Sequence, residues 1–434
     1  MPAYRSWGRY PAACPAAVLP VVWRSDPPAL ERVTGPVLAY ACGRSYGDSC
    51  LNNGGTLLDV RRLDRLIAFD EEAGLLRCEA GVTLAEILDV IVPRGWFLPV
   101  VPGTRWVSVG GAIANDIHGK NHHRAGTFGR HVTCLELARS SGERIVCTPD
   151  EPLFQATVGG LGLTGLILWA ELRLKRVPGA GISQERIRFP SLEAFFDLAT
   201  EDDAYEYTVA WVDCLAGGSR LGRGIYLRGD HAPLDAPHAS PLDATRLRVP
   251  VEALVGLINR LTMRAFNEAY YRRQFRRRQW EIVPYAPFFF PLDAVGDWTR
   301  LYGPGGFLQY QCAVPDAPAG GPIRSILERI SRSNEPACLG VLKRFGDARS
   351  PGWLSFPRKG ITLAVDFPFR GPRTLTLLDE LDAVVRDAGG AVYPAKDARM
   401  SAASFSAFFP AAPRLESQRD PKYSSSFWRR VHAA

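Results

Sequence analysis

The sequence predicts an α+β chain of two domains, and three observations lead to that class. Its 434 residues exceed the roughly 250–300 residues at which a single hydrophobic core stops growing. Short strand-like and helix-like stretches alternate irregularly, unlike the regular repeat of a doubly wound sheet. Glycine-rich turns are concentrated before Pro178 and become sparser after it. We therefore expect an N-terminal domain over residues 1–177 and a second domain over 178–390.

The N-terminal domain contains the clearest individual elements. Residues 37–59 predict two strands around a glycine-containing turn, and LLRCEAG (75–81) predicts another strand. Residues 83–95 predict a helix, because Thr83 and Glu86 have capping-box spacing and Pro93 ends the apolar face. Residues 168–175 alternate apolar and polar side chains, as a half-buried strand does.

The composition limits which binding partners and which cellular compartment we expect for the protein. The formal charge of +7 is mild but favours anionic partners such as phosphates or membrane surfaces. The nine cysteines form no CxxC pair, which argues against a disulfide framework or a zinc ribbon and favours a reducing compartment. Prolines interrupt the apolar residues 12–23, and no apolar run is long enough to span a membrane. We expect no signal peptide or transmembrane helix, and a protein that is cytoplasmic or peripheral at the inner membrane.

Three glycine-rich turns lie next to predicted strands. They are CGRSYGDS (42–49), SVGGAIAND (108–116) and GGLGLTG (159–165). Backbone N–H groups in such turns can bind pyrophosphate oxygens, because no side chain blocks their approach. The glycines precede strands without a βαβ unit, so they are not a Rossmann fingerprint. Together they predict an extended nucleotide lying across the N-terminal domain.

The stretch HGKNHHRAGTFG (118–129) contains three of the seven histidines. A metal site would use His118 and His122, but Gly119 breaks a helix and Lys120 would place a cation beside the metal. No second cluster completes a tetrahedron, so we predict no metal. A polar surface loop and the wall of a redox site remain the alternatives.

Several motifs together resemble one enzyme family along nearly the whole chain, from about residue 36 onward. They include GRSYGD, PGTRWVSVGGAIANDIHGKNHHRAGTFGRHV, LFQATVGGLGLTG, YGPGGFLQYQ, LKRFG, VDFP and AKDAR. They are similar to the flavin-dependent decaprenylphosphoryl-β-D-ribose 2′-oxidases, which have the vanillyl-alcohol-oxidase type of FAD-binding fold. The resemblance implies a two-domain FAD-binding fold with a substrate domain built on an antiparallel sheet. Residues 391–434 would complete the FAD domain.

The resemblance also implies the cofactor and its contacts. FAD would be held noncovalently, because GRSYGD has no histidine to attach it, although Cys42 and Cys50 flank this turn. The implied cofactor-binding residues are Gly43, Arg44, Ser45, Tyr46, Gly47, Gly103, Ser108, Val109, Gly110, Gly111, Asn115, Asp116, Ile117, His118, Ile167 and Tyr393.

By the same resemblance, the reaction oxidises the 2′-hydroxyl of a polyprenylphosphoryl ribose. Lys396 would take the hydroxyl proton, hydride would pass from C2′ to the flavin, and His118 or Tyr46 would be the next catalytic candidates. Lys120, Gln311, Thr362, Ala364 and Lys396 would bind the lipid-linked sugar phosphate. A separate NAD(P)H-dependent reductase would complete an epimerisation to the arabinose form used in cell-envelope glycans.

Two positions depart from the family pattern. Mycobacterial relatives carry Asn and Cys where this chain has Thr362 and Ala364, so the pocket is altered. Another FAD-dependent sugar, alditol or lactone oxidase that uses oxygen is therefore an alternative. A phosphate- or nucleic-acid-binding protein without redox chemistry is a second one.

The stretch NRLTMRAFNEAYYRRQFRRRQW (259–280) carries seven arginines interleaved with aromatic residues. Arginine and aromatic faces can stack on bases, but no nucleic-acid motif accompanies them, so we expect no nucleic-acid partner. A solvated basic helix is the simplest interpretation. A peripheral membrane contact that admits a lipid-phosphate substrate is the interpretation we prefer.

Overall fold

The computed structural model describes residues 4–200, 204–233, 247–253 and 257–433, so small parts of the predicted domains lie outside it. Its strands are β1 Ala17–Pro20, β2 Val37–Tyr40, β3 Thr56–Asp59, β4 Leu66–Asp70, β5 Leu75–Glu79, β6 Trp96–Phe97, β7 Val132–Ala138, β8 Arg144–Cys147, β9 Leu166–Arg173, β10 Lys175–Arg176, β11 Gly181–Phe189, β12 Tyr207–Val212, β13 Gly224–His231, β14 Leu247–Arg248, β15 Arg278–Pro284, β16 Val295–Gly296, β17 Phe307–Val314, β18 Cys338–Phe345, β19 Gly360–Pro368 and β20 Ala391–Val392. Its helices are α1 Leu84–Ile91, α2 Val109–Ala114, α3 His122–Ala125, α4 Pro152–Thr157, α5 Leu192–Thr200, α6 Arg260–Arg272, α7 Tyr285–Phe289, α8 Gly321–Arg332, α9 Pro372–Asp387, α10 Ala402–Phe408, α11 Ala412–Glu416 and α12 Ser426–Val431.

Three sheets carry the architecture. A parallel three-stranded sheet (β1-β3-β2) and a five-stranded antiparallel sheet (β4-β5-β9-β7-β8) form the N-terminal half. An eight-stranded antiparallel sheet in the order β15-β11-β13-β12-β18-β19-β17-β20 forms the second half. The α+β class and an antiparallel sheet in the second half are therefore confirmed.

Helix α1 shows how closely local sequence determines local structure. Thr83 Oγ1 accepts from Glu86 N–H (3.3 Å), while the Glu86 carboxylate accepts from Thr83 N–H (2.8 Å), so the predicted capping box is present. The α-helix ends at Ile91, and one 3₁₀ turn that contains Pro93 follows. The predicted strand near residue 168 is also present, with Leu168 and Leu172 buried and Arg173 exposed.

The C-terminal segment returns to the N-terminal half of the fold. Val37 N–H donates to Lys422 O (2.8 Å), and Ser424 N–H donates to Val37 O (3.0 Å). Helix α12 packs on the turn at 48–50, where Arg430 forms a salt bridge with Asp48 (2.8 Å). These contacts agree with a segment that completes the first domain, and the limits 1–177, 178–390 and 391–434 stay a prediction.

The two halves also share hydrophobic clusters around a space between them. Phe288 and Phe289 of α7 directly follow β15 of the large sheet in sequence but pack in one cluster with Phe97 of the N-terminal half. Leu163, from the third glycine turn, packs in the cluster of the large sheet. This interlocking fixes the walls of the space relative to each other.

Candidate active site

A cavity of about 1070 Å³ lies between the two halves. The turn at 41–46, the loop at 101–120 and the segment at 161–167 line one side. The large sheet, the segment at 287–293 and Tyr393 to Lys396 line the other. Its volume lies at the upper end of the roughly 300–1,000 Å³ of small-ligand sites, which suits a dinucleotide.

The turn at 42–47 offers backbone donors to this cavity. Within the described part of the chain, no acceptor bonds the N–H groups of Cys42, Gly43, Arg44 or Ser45. Gly43 has φ +58°, and a Cβ there would lie 2.2 Å from the Tyr40 hydroxyl, so only glycine fits. Consecutive unbonded N–H groups in a turn form an anion-binding nest.

Gly47 has a different role from the one predicted, because it does not line the cavity. A Cβ at Gly47 would lie 1.7 Å from Asp397 O, so the residue allows the segment around Lys396 to pack on the turn. Tyr46 N–H donates to Ala395 O (2.8 Å) at the same contact. Gly47 therefore positions the C-terminal segment.

The second glycine stretch also differs from expectation. The N–H groups of Val109 and Gly110 donate to Val82 O and Ala80 O (both 2.8 Å), and Gly111 N–H donates to Ser108 Oγ (3.2 Å). The prediction that these N–H groups bind pyrophosphate is therefore wrong, since they are already used. Val109 is fully buried and outside the lining, whereas Gly110 and Gly111 form a flat wall without side chains.

Asp116 is another correction among the predicted cofactor contacts. It has φ +40° and is fully buried, and its carboxylate accepts from Gly129 N–H (2.9 Å) and from the Ser350 and Ser355 hydroxyls. Its side chain therefore fastens loops together behind the cavity. Asn115 stays at the cavity, where its carbonyl accepts from the Tyr393 hydroxyl (2.7 Å).

With these three exceptions, the predicted site residues gather around one cavity. Gly47, Val109 and Asp116 do not line it. The lining includes Gly43, Arg44, Ser45, Tyr46, Gly103, Ser108, Gly110, Gly111, Asn115, Ile117, His118, Lys120, Ile167, Gln311, Thr362, Ala364, Tyr393 and Lys396.

His118 lies at the centre of a hydrogen-bonded cluster. Gln311 Nε2 lies 2.9 Å from His118 Nε2 and 3.0 Å from Thr362 Oγ1. Lys343 Nζ lies 3.1 Å from His118 Nδ1 and donates to Gly119 O (3.2 Å). Lys343 was not among the predicted site residues, although it lies in the family motif LKRFG.

Two proton arrangements satisfy this cluster. A charged Lys343 would donate to Nδ1, and Gln311 would then have to turn its carbonyl toward Nε2–H. A neutral Lys343 instead accepts from Nδ1–H, and Nε2 accepts from the Gln311 amide. Burial, together with the charges of Lys120 and Lys396, holds the pKa of Lys343 well below its ordinary value, which favours the second arrangement. Burial likewise lowers the pKa of His118 well below its usual range, so the imidazole is neutral.

Lys120 and Lys396 are the lysines that give this part of the cavity its positive charge. Burial lowers the pKa of Lys120 to about 8, and no described carboxylate forms an ion pair with it. Burial also lowers the pKa of Lys396 to about 8, while the negative charge of Asp366 raises it. Asp366 is fully buried, accepts from the Tyr302 hydroxyl (3.1 Å) and has its own pKa raised to about 6 by burial. Two cationic amines near a single buried carboxylate, Asp366, favour an anionic ligand.

Neither Tyr46 nor His122 is suited to the proton-accepting role considered for Lys396. Burial raises the pKa of the Tyr46 phenol, so it can donate a hydrogen bond but is not a proton acceptor near neutral pH. His122 was predicted in a loop but begins the short helix α3, where it is buried against Phe345 (ring centroids 4.4 Å apart). It packs as an apolar residue, in agreement with the structural role predicted for it.

The basic stretch is divided between a helix and a strand of the second half. Helix α6 covers Arg260–Arg272, and a strand begins at Arg278, so the basic residues do not form one continuous helix. Arg272 and Arg278 form ion pairs with Glu268 and with the buried Glu185 (3.2 Å for Arg278). Phe275 is 88% exposed between them.

Among the described residues, no group of His, Cys, Asp and Glu side chains has the arrangement of a metal site. Within the same ranges, no helix has both the length and the apolar character to cross a bilayer.

The residues of the cavity fit FAD. The unbonded N–H groups at 42–45 suit its pyrophosphate, and the wall of Gly110 and Gly111 suits a flat ring. Ser49 Oγ is buried at the cavity without a partner among the described residues, so it is available to a polar group of the ligand.

Comparison with known proteins agrees with this assignment. A family model of FAD-binding domains matches residues 31–148. The chain is 38% identical to the decaprenylphosphoryl-β-D-ribose oxidase of Mycolicibacterium smegmatis over 93% of this chain and 90% of that protein. It is 37% identical to an uncharacterised Streptomyces coelicolor protein over 76% and 92% of the two chains. It is 31% identical to a putative D-arabinono-1,4-lactone oxidase of Neurospora crassa, over only 34% and 26%. The chain therefore belongs to the decaprenylphosphoryl-β-D-ribose oxidase family of FAD-dependent oxidoreductases that act on CH–OH groups.

Proposed function

We propose that the protein oxidises the 2′-hydroxyl of a polyprenylphosphoryl-β-D-ribose to the 2′-keto sugar. The observation that carries the proposal is the position of Lys396, a half-buried lysine of lowered pKa in the same cavity as His118 and Gln311. The M. smegmatis relative, an oxidase of such a substrate, supports the choice of sugar.

The residues divide the chemistry between them. Lys396 accepts the hydroxyl proton as the C2′–O bond becomes a carbonyl, because its lowered pKa keeps a useful fraction of the amine neutral. When bound, FAD supplies the two-electron acceptor for the hydride that leaves C2′. Gln311, held by His118 and Thr362, orients the sugar hydroxyls.

Lys120 is the proposed partner of the substrate phosphodiester. It lines the cavity, its ammonium has no described carboxylate partner, and burial penalises its charge. A phosphodiester anion would remove that penalty, so the ligand and the lysine stabilise each other's charge.

The product defines a further partner. A 2′-keto sugar returns to a ribose-like alcohol only by reduction, so a separate NAD(P)H-dependent keto-sugar reductase is the expected pathway partner. Reduction from the other face gives the arabinose form, and we place the reaction in arabinan synthesis for the cell wall.

Noncovalent FAD fits the chemistry of the first turn. Burial raises the pKa of the Cys42 thiol, and it raises the pKa of Cys50 to about 12. A protonated thiol is a poor nucleophile, so neither cysteine is activated to attack the flavin.

A peripheral membrane contact would bring the lipid-linked substrate to the cavity. Leu261 and Phe275 are 77% and 88% exposed around α6, and Arg276 and Arg277 have no carboxylate partner among the described residues. Exposed apolar residues beside unpaired arginines are typical of surfaces that bind anionic lipid.

A different sugar, alditol or lactone with oxygen as acceptor is the second candidate function. The partial similarity to a putative lactone oxidase and the presence of Thr362 and Ala364 in the substrate wall favour it. Anaerobic mixing with lipid-linked ribose, simple alditols and lactones separates the two. Rapid bleaching of the flavin by the lipid-linked ribose alone is the result that supports the first function.

A further inference from the structure

The side chains on one face of the eight-stranded sheet change in polarity from one end of the cavity to the other. The strand register places Gln311, Ala364, Val341 and Trp211 in one row across four strands. The next row continues from Val209 to Leu227 and then to Arg186. All of these residues line the cavity. The face therefore begins polar beside His118, becomes apolar over β12 and β13, and ends charged at β11 and β15, where Arg186 lies 3.5 Å from Glu281.

The apolar zone lies inside the molecule and lines the cavity. Four of its side chains are only half-buried, namely Trp211, Leu227, Leu339 and Val341, whereas Ala210 and Leu342 in the same sheet are fully buried. Water against such a wall is unfavourable, so the zone is suited to an apolar ligand. We call it the apolar channel, and it consists of Val209, Trp211, Leu227, Leu339 and Val341 on the sheet, with Phe266 and Tyr270 of α6.

Helix α6 covers this channel and is attached to the sheet by ring packing, a hydrogen bond and an ion pair. The Tyr270 ring lies 4.7 Å from that of Trp211, and Asn267 donates to the buried Asp213 (2.7 Å). Arg223 joins the same helix through Glu268 (2.7 Å). Phe266 is 49% exposed, so it faces both the channel and the outer surface. The channel therefore opens where the exposed apolar residues of α6 lie.

The charges around the channel decide the orientation of its ligand. Lys343 lies two residues from Val341 on β18, about 7 Å along the strand, so it adjoins the beginning of the channel. Lys120 and Lys396 are close enough to Lys343 for their charges to lower its pKa, so these two cations lie at the same end. None of the channel residues is charged. A ligand with an anionic group followed by a hydrocarbon chain matches this order.

We infer that the apolar channel binds the first isoprene units of the substrate's lipid, between the phosphate-binding lysines and the membrane-facing side of α6. The inference rests on the proposed function and extends it. The proposed function concerns the sugar, whereas the channel residues are assigned to binding of the lipid chain. Exposed Phe266 and Leu261 then continue the path toward the bilayer.

The test uses the FAD-loaded enzyme and a series of β-D-ribose phosphodiesters whose second ester group is methyl, one isoprene unit or two. In detergent-free solution, kcat/KM of the wild type should rise at least about tenfold from the methyl to the two-unit ester, since each buried CH₂ contributes to binding. Leu227→Ser and Trp211→Ala should each lower that ratio toward one. Val146→Ser, at a 52% exposed position on β8, should keep the wild-type ratio.

The outcomes separate the two proposals. If every ester bleaches the flavin with the same kcat/KM, the proposed function stands and the channel is overturned. If no ribose phosphodiester reacts, the proposed function falls and the inference falls with it. Should Trp211→Ala fail to fold, the milder Leu227→Ser decides, and an unchanged ratio in that variant overturns the channel.

Discussion

Lys396 Nζ lies 5.3 Å from the centroid of the Tyr46 ring, so the proposed base lies directly against the turn proposed to hold the cofactor. The backbone joins them as well, because Tyr46 N–H donates to Ala395 O (2.8 Å). The two residues are 350 positions apart in sequence. Packing of the C-terminal segment on the first turn therefore brings the two parts of the proposed site together.

Replacing Lys396 by alanine should slow flavin reduction by roughly 100-fold or more, as expected for a lost general base. Lys396→Arg should recover little, because a guanidinium does not give up its proton at useful pH. Anaerobic stopped-flow absorbance under single turnover measures this step. The matched control is Lys359→Ala, an exposed lysine paired with Asp347. FAD should stay bound in all three variants, and a Lys396→Ala enzyme that reduces its flavin at the wild-type rate would refute the assignment.

The rate of flavin reduction should rise with pH through about 8, the lowered pKa of Lys396, because only the neutral amine accepts a proton. The charge of Asp366 raises this pKa. Asp366→Asn removes the charge, so the inflection should move to lower pH. Asp347→Asn, at an exposed position, should leave it in place. The same stopped-flow measurement across pH provides the profile, and an unmoved inflection in Asp366→Asn would contradict the coupling.

Gly47→Ala should destabilise the folded protein by about 1–3 kcal/mol, the range for an added methyl group in a packed site. Its Cβ would lie 1.7 Å from Asp397 O and push the Lys396 segment away. Urea unfolding of the FAD-loaded protein measures the loss. Gly217→Ala is the control, because the nearest atom to its Cβ is 3.7 Å away. Equal stability of the two variants would show that the close packing at Gly47 is unimportant.

FAD should leave the protein when it is denatured. The raised pKa values of Cys42 and Cys50 motivate this expectation. Precipitation with acid should leave the yellow colour in the supernatant, where absorbance and chromatography identify FAD. Flavin that remains in the washed pellet would mean a covalent bond.

The combined change Phe275→Ser, Arg276→Ser and Arg277→Ser should weaken binding to vesicles that contain anionic lipid. Each arginine near such a surface contributes about 1 kcal/mol, so the two should account for roughly a tenfold loss or more. Cosedimentation with vesicles measures the binding. Arg332→Ser, at an exposed position on α8, is the control. Binding that survives the triple change would place the membrane contact elsewhere.

The sequence predicted the structure correctly where the signal was local or where a complete family motif was present. The capping box at Thr83 and the strand at 168 follow from spacing, and the turn at 43–46 follows from the family motif. Lys343 was missed because it reaches His118 only through the pairing of β18 with β19, where it lies opposite Thr362. Strand order in an eight-stranded sheet is a property of the whole fold, and no local pattern encodes it.

The errors have a physical origin too. Glycines at 110 and 111 suggested free N–H groups, but a short helix and the neighbouring strand segment use those donors internally. Asp116 was read with its neighbours as a cofactor contact, whereas its left-handed backbone turns the carboxylate away toward Gly129. A motif identifies a segment of chain, and the backbone conformation then decides which of its atoms reach the ligand.

Oxidation at C2′ of a lipid-linked ribose places the new carbonyl at that carbon, and locating this carbonyl tests the proposed function. The measurement is anaerobic single turnover with polyprenylphosphoryl-β-D-ribose, followed by trapping of the product with borodeuteride and location of the deuterium by NMR. We expect bleaching of the flavin and deuterium at C2′ alone. Deuterium at another carbon, or a flavin that stays oxidised with this substrate, would contradict it.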